Sequence, residues 1–296
     1  MTQYLNTNAL AENPLVNGSY EFTDAAGASI TAAGNFGVVG SLVSLGTSGA
    51  GTISQQALAF GQVAVPGDVR NHFRWAQTTA HTAGTPKFAH KIEDVRTFAG
   101  KKVTLQGYYR SNVAMPIKMR QDFGAGGSPS ADVLTSANAP INSIPSTVDS
   151  DGTAQWRPFA MSFTLPSMVG KTIGTTVGTS YLAVDLMPDQ LVTFQFDMTM
   201  LRLTPAGEAN PVVRRRPFAE EQTLCERYFV SLTAFAPVST QSANWVPFRR
   251  NMRIVPTMSG GTGSTLANPT VDGFSIISAA AAAAITGILA TAAIAD

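Results

Sequence analysis

The chain has 296 residues, with 20 basic and 19 acidic side chains and a formal net charge of +1. Only 13% of its residues are charged, against about 25% in an ordinary soluble domain, while its apolar fraction of 44% is ordinary. That balance excludes charge-driven disorder, argues against a basic nucleic-acid binder, and leaves room for one large β-domain or two smaller ones.

The charges are unevenly placed. No Lys or Arg precedes Arg70, where only Glu12, Glu21, Asp24 and Asp68 are charged; beyond Ile254 only Asp272 and Asp296 are. All six lysines fall between Lys87 and Lys171. Charge-poor ends expose apolar surface and promote association, so both ends are expected to be buried against other chains, with the lysine-bearing middle facing solvent. The opening residues, MTQYLNTNALAENP, lack the basic and apolar regions of a signal peptide, which predicts a chain made in the cytoplasm. The single Cys225 permits no intrachain disulfide.

Along the chain the dominant signal is a period of two. Lys102 to Arg110 (KVTLQGYYR) alternates Val103, Leu105 and Gly107 with polar neighbours, and Pro116 to Phe123 alternates Ile117 and Met119 with Lys118 and Arg120. Trp156 to Leu165 places Phe159, Met161, Phe163 and Leu165 on one face. Tyr181 to Leu186 repeats the pattern, and so does Leu191 to Leu203, through Phe194, Phe196, Met198 and Met200 to Leu203 with one slip. Such runs, separated by Gly, Pro, Ser and Asn, predict an antiparallel sandwich.

Gly124 to Ser150 reads as one long loop, functional or ordered by a partner. Thr204 to Arg216 reads as an interdomain linker. Pro217 followed by Glu220 and Glu221 predicts a short helix with Pro first and acids in its opening turn, its apolar stripe built from Leu224, Cys225 and Tyr228. Phe229 to Phe235, Trp245 to Val255 and Val271 to Ile277 follow as short strands. The tail from Ile276 to Ala295 is long enough for a membrane helix, but half of it is alanine and no Lys or Arg flanks it, so no membrane span is expected. Two small-residue strands turning at Thr286-Gly287 are expected there instead.

Several ordered motifs carry a resemblance. They are Asn13-Pro14-Leu15-Val16-Asn17-Gly18-Ser19-Tyr20-Glu21; the run from Lys91 to Leu105 (KIEDVRTFAGKKVTL); Phe123 to Ser128; Phe163 to Ser167 with Gly170-Lys171-Thr172; Arg216 to Glu221; Leu224 to Phe229; and Met252-Arg253 with Pro256-Thr257. Together they resemble a family of bacteriophage tail-fibre or tail virion proteins whose jelly-roll domain is similar to carbohydrate-binding modules. The resemblance implies an all-β chain: an N-terminal arm over 1–12, a jelly-roll β-sandwich over 13–204, a linker and short helix over 205–226, and a small C-terminal β-domain over 227–296. It implies a non-enzymatic virion protein, made in the host cytoplasm, that forms a homo-oligomer, a trimer in the family, contacts other virion proteins and attaches to host-surface glycan. Because no heptad, collagen-like or β-helical repeat supplies a shaft, a head-decoration protein without receptor binding stays open as an alternative. A free-standing carbohydrate-binding module is a third reading.

Chemistry-bearing motifs are scarce. His72, His81 and His90 lie nine residues apart, a spacing no metal motif uses, and no HExxH, GxSxG, Walker A or GxGxxG pattern is present. The acid pairs Glu93 with Asp94 and Asp185 with Asp189 read as strand-end groups rather than a glycosidase pair. No catalytic residue and no organic cofactor is therefore expected. The resemblance does imply one structural ion, a calcium held by Glu21 and Asp197, whose oxygens suit a hard cation. Glycan contact needs exposed aromatic faces, and Trp75, Tyr108-Tyr109, Trp156 and Trp245 are the candidates, although Trp75 and Trp156 also fit strands whose apolar face builds the sandwich and read first as core anchors.

Overall fold

The computed structural model describes residues 15–21, 29–31, 34–36, 41–44, 48–67, 69–83, 86–129, 131–133, 142–176, 179–188, 192–205, 216–235, 243–260, 264–278 and 285–292. The chain divides into two compact units, residues 1–216 with the last two residues, and residues 217–294. The helix expected within a linker therefore opens the second unit.

The first unit contains β1 (Ser29–Ile30), β2 (Gly34–Phe36), β3 (Ser41–Ser44), β4 (Ala50–Ala57), β5 (Asn71–Thr79), β6 (Lys87–Glu93) and β7 (Lys102–Ser111). It continues with β8 (Met115–Asp122), β9 (Ala131–Val133), β10 (Asn142–Ile144), β11 (Arg157–Thr164), β12 (Tyr181–Leu186) and β13 (Phe194–Pro205). These form two antiparallel sheets. One has six strands in the order β1-β4-β5-β13-β7-β11, the other seven, ordered β10-β8-β12-β6-β3-β2 with β9 also on β8. The non-sequential order gives a jelly-roll sandwich, which packs its apolar faces inward.

The period of two builds this core directly. Phe73 and Trp75 of β5, Val103, Leu105 and Tyr109 of β7, and Phe194, Phe196 and Met198 of β13 meet Met115, Ile117 and Met119 of β8 and Leu182, Val184 and Leu186 of β12. Burying each such side chain contributes about 1.5–3 kcal/mol. The slip in β13 falls at Met200 itself. Its φ of 54° is left-handed, the register with β7 shifts between Thr199 and Arg202, and Leu201 and Leu203 take the core side. Met200 instead packs with Val65 and Val69. Gly107 faces this bulge: a Cβ there would sit 3.1 Å from the Thr199 carbonyl oxygen and 3.1 Å from the Phe159 ring, so only glycine lets the bulged backbone approach.

The long-loop reading of 124–150 is corrected in part. β9 and β10 both pair with β8, and residues 134–141 lie outside the described residues. Short polar segments can add to an edge strand through backbone hydrogen bonds alone, which leaves little periodic trace.

In the second unit, α1 (Phe218–Cys225) follows Pro217, whose extended ψ of 139° places it just before the helix rather than inside it. Leu224, Cys225 and Tyr228 are buried as the stripe required. The remaining strands are β14 (Phe229–Phe235), β15 (Ala243–Pro247), β16 (Thr257–Ser259), β17 (Ser264–Ala267), β18 (Gly273–Ser278) and β19 (Ile285–Thr291), in sheets β14-β19-β16 and β15-β18-β17. Val246, Phe248, Met252, Phe274, Ile276, Ile288 and Ala290 form their core. The Trp245 strand stops at Pro247, so Val255 is exposed outside it.

The alanine tail holds strand, but the turn is misplaced in the sequence reading. Thr286 pairs with Ala234 inside β19, so Thr286-Gly287 lies within a strand; residues 279–284 lie outside the described ones. Pairing with β14 on one side and β16 on the other outweighs the local turn signal. Among the described residues no helix is long and apolar enough to cross a membrane.

Candidate functional site

Alternation sends every second residue of β5, β13 and β7 to the outward face of the six-stranded sheet. Trp75 points inward, so Arg74 points outward; the same holds for Phe196 beside Asp197 and Tyr109 beside Arg110. Strand register then aligns them, because Asp197 lies opposite Arg74 on one side and opposite Arg110 on the other. Arg74 donates from Nε to Asp197 Oδ1 at 2.7 Å and from Nη2 to Oδ2 at 2.9 Å. Arg110 donates from Nε and Nη2 to Oδ2 at 2.9 and 2.5 Å, and Gln195 Nε2 adds a bond to Oδ2 at 3.2 Å. Beyond Arg110, Trp156 lies with its ring centroid 5.1 Å from the guanidinium carbon, a cation–π distance. The His72 ring stands edge-on to Trp156 at 5.3 Å and 3.7 Å from Asp197 Oδ2.

The electrostatics of this row fix its charge states at neutral pH. Burial alone would raise the Asp197 pKa, but the hydrogen bonds from Arg74 and Arg110 outweigh it and hold the carboxyl below its usual range. Burial lowers His72 to about 4 against the pull of Asp197, and Arg74 and Arg110 push it the same way as burial. At neutral pH the row therefore holds a fixed carboxylate, two fixed guanidiniums and a neutral imidazole. General acid–base catalysis works best with a group that titrates near the operating pH, and neither Asp197 nor His72 does. Asp197 is fully buried, while Arg74 and Arg110 keep 26% and 28% exposure, so the forks are pinned beneath and open above.

The sequence candidates scatter across the molecule. Trp75 is fully buried in the core and its Nε1 donates to Gln77 Oε1 at 3.1 Å, the core position and not a glycan contact. Trp156 joins the row and is half-buried, packed beside Val65, Val69 and Met200. Trp245 lies in the second unit, half exposed, with its ring against bare Gly273: a Cβ there would fall 2.8 Å from Trp245 Cζ2. The calcium pairing is also corrected at Asp197. Both its oxygens are taken by arginine, and a divalent ion would meet two positive charges within hydrogen-bond reach. Glu21 follows the Leu15–Tyr20 turn segment at intermediate exposure. No group of three or more His, Cys, Asp or Glu residues among the described ones is placed to hold a metal ion.

The three histidines are all buried. His90 is held by Tyr20 OH at 3.4 Å and the Val16 carbonyl oxygen at 3.2 Å. Arg74 and Arg110 are the residues that sequence reasoning missed. Their signal was alternation next to Trp75 and Tyr109, which gives the face; the partner Asp197 lies 123 and 87 residues away, a distance no local pattern spans.

The seven-stranded sheet carries a related cluster on its own outward face. Arg120 donates from Nε to Asp185 Oδ2 at 2.9 Å and from Nη1 to Asp122 Oδ2 at 2.6 Å. Its guanidinium carbon lies 5.3 Å from the Tyr181 ring centroid, and Lys91 Nζ lies 4.9 Å from the same centroid. Here the centre is enclosed: Asp185, Lys91 and Tyr181 are buried and Arg120 is only 12% exposed, with Asp122 at the margin at 21%. Lys91 thus departs from the expectation that the lysines face solvent.

The fold and the row together define a jelly-roll β-sandwich with a polar, arginine-lined sheet face. Among solved structures, the chain is similar to the enzymatically active domain of tailspike protein 4 of bacteriophage CBA120, at 12% identity and a TM-score of 0.36, over 65% of this chain and 21% of that one. It is similar to a CBM4 structure at 12% identity and a TM-score of 0.34, over 64% and 99% of the two chains. A family 11 carbohydrate-binding module of a Clostridium thermocellum cellulosomal cellulase follows at 14% and 0.32, over 53% and 83%. At these identities no residue role transfers from any of them, and the chain spans about a fifth of the tailspike it matches. No protein family and no curated protein matches the sequence.

Proposed function

We propose that this chain is a non-enzymatic structural protein of a phage virion, of tail-fibre type, that binds glycan on the host surface. The observation that carries the binding half is the Arg74–Asp197–Arg110 row with Trp156 beside it. It presents fixed hydrogen-bond donors and an aromatic ring on one sheet face, without a group poised to move a proton near neutral pH. Carbohydrate hydroxyls accept from such donors. The virion half is supported by the ordered motifs from Asn13 to Thr257. Assembly as a homo-oligomer, a trimer by that resemblance, would turn weak single contacts into firm attachment through effective concentration.

The test is an array of bacterial surface polysaccharides probed with the purified chain. Saturable binding without release of reducing sugar is the expected result. Silence across the array overturns glycan binding, and sugar release overturns the non-enzymatic reading. Sedimentation analysis reads the oligomer separately: a stable monomer at micromolar concentration contradicts it. Without a shaft repeat in this sequence, a compact knob on head or tail stands beside the long fibre as the alternative, and immunogold labelling of virions distinguishes head from tail.

A further inference from the structure

The two sheets of the first unit differ sharply in charge. Strands of the seven-stranded sheet hold Lys87, Lys91, Lys118 and Arg120 against Glu93, Asp122, Asp132 and Asp185, which cancel. Strands of the six-stranded sheet hold Arg74, Lys102, Arg110, Arg157 and Arg202, and Asp197 is their sole carboxylate. A chain of net charge +1 thus concentrates four excess positive charges in one sheet. Lys102, Arg110 and Arg202 share the outward face with Arg74, because Val103, Tyr109, Leu201, Leu203 and Phe73 fill the core side. Arg157 is drawn aside by Asp149 at 2.6 Å, which lies outside the sheet.

Within the row the imbalance is local and built. Asp197 answers one positive charge where two guanidiniums converge on it. Each arginine spends Nε and Nη2 on that carboxylate and keeps Nη1, with two N–H groups, for something else. The buried carboxylate fixes both forks, so little side-chain freedom is lost when a ligand arrives. Trp156, half-exposed Tyr108 and exposed Gln195 border the arginines, which supplies ring and amide contacts beside the charge. A carboxylate has two oxygens, so it can accept from Nη1 of Arg74 at one and from Nη1 of Arg110 at the other.

We infer that the outward face of the six-stranded sheet recognises a carboxylated saccharide, a uronic-acid-containing glycan, whose carboxylate bridges Arg74 and Arg110. This rests on the glycan-binding reading and narrows it to acidic sugars. Neutral glucans would meet the same donors without relieving the excess charge, and so would bind more weakly.

Calorimetric titration of the full chain with an oligogalacturonate and with a neutral glucan of equal length tests it. The acidic oligomer is expected to bind about tenfold or more tighter, with affinity falling as salt rises. Arg74→Gln and Arg110→Gln should each erase the preference. Arg110→Lys keeps the charge but cannot hold Asp197 with two donors while offering a third, and should restore only part of it. Equal affinity for both sugars overturns this inference and leaves glycan binding standing, whereas binding of neither removes glycan binding itself. Equal competition by inorganic phosphate, or equal binding of a DNA oligonucleotide, shows a general anion surface and also overturns it. If the glutamine variants misfold by circular dichroism, the intact chain still decides: acidic-sugar binding unaffected by salt contradicts the charge pairing.

Discussion

The outward faces of the two sheets carry the same device in different surroundings. On each, a carboxylate in mid-strand is clamped by arginine from a neighbouring strand, and an aromatic ring lies against the guanidinium. Asp197 receives two arginines that remain a quarter exposed, whereas Asp185 receives Arg120 alone and both are enclosed. Asp185 Oδ1 is buried without a hydrogen-bond partner. A buried ion pair recovers its desolvation cost only when its remaining lone pairs are also answered. The seven-stranded face leaves one buried acceptor of Asp185 unanswered, whereas the six-stranded face has guanidinium donors left over. Identical side chains are enclosed in one place and left with unspent donors in the other, according to what covers them.

That contrast predicts a graded set of outcomes. The largest is for Arg120→Ala, which strands the buried Asp185 charge and should cost about 3–5 kcal/mol in denaturant unfolding. A loss below 1 kcal/mol would mean that this face is open, and the contrast would fail.

The next effect is on pH dependence. Burial lowers His90 to about 4, the Val16 carbonyl bond opposing the fall, and lowers His72 to about 4; both titrate near 6.5 when unfolded. Between those values the unfolded chain binds protons that the folded one refuses, so stability falls as pH drops from about 6.5 to about 4 and is full above that window. His90 is sealed inside the sandwich, and its share is of order 3 kcal/mol. Thermal melting of His90→Gln against the parent chain should show a visibly shallower decline. Parallel curves would contradict the burial.

Asp197→Asn should cost less than Arg120→Ala, about 1–2 kcal/mol, since Arg74 and Arg110 can turn towards water once released. Equal costs for the two variants would place both clusters in the same class. The smallest effect is expected at Trp245, where half exposure limits the loss for Trp245→Phe to about 0.5 kcal/mol in chemical denaturation.

Much of the fold was legible from alternation. The runs at Lys102, Pro116, Trp156, Tyr181 and Leu191 each became a strand with the expected inner face, and even the slip in the last of them marked a real bulge. β9, β10 and the Thr286-Gly287 segment were not legible. Their strand character comes from partners distant in sequence, and their own residues favour turns. The site was half visible: Asp197 and Trp156 drew notice as single residues, with the wrong partner proposed for Asp197. What alternation cannot supply is inter-strand register, and register alone puts Arg74, Asp197 and Arg110 in one line. Trp75 shows the same limit from the other side. A tryptophan beside an arginine on a strand declares that one faces in and the other out, and only the packing of the two sheets decides which.

The most direct measurement of the central contrast is a titration of the arginine side-chain Nε–H resonances with an acidic host polysaccharide fragment. Open donors on the six-stranded face and enclosed ones on the seven-stranded face predict that the Arg74 and Arg110 signals shift together and saturate, while the Arg120 signal stays fixed. Movement of Arg120 with Arg74 and Arg110 unchanged would contradict the account.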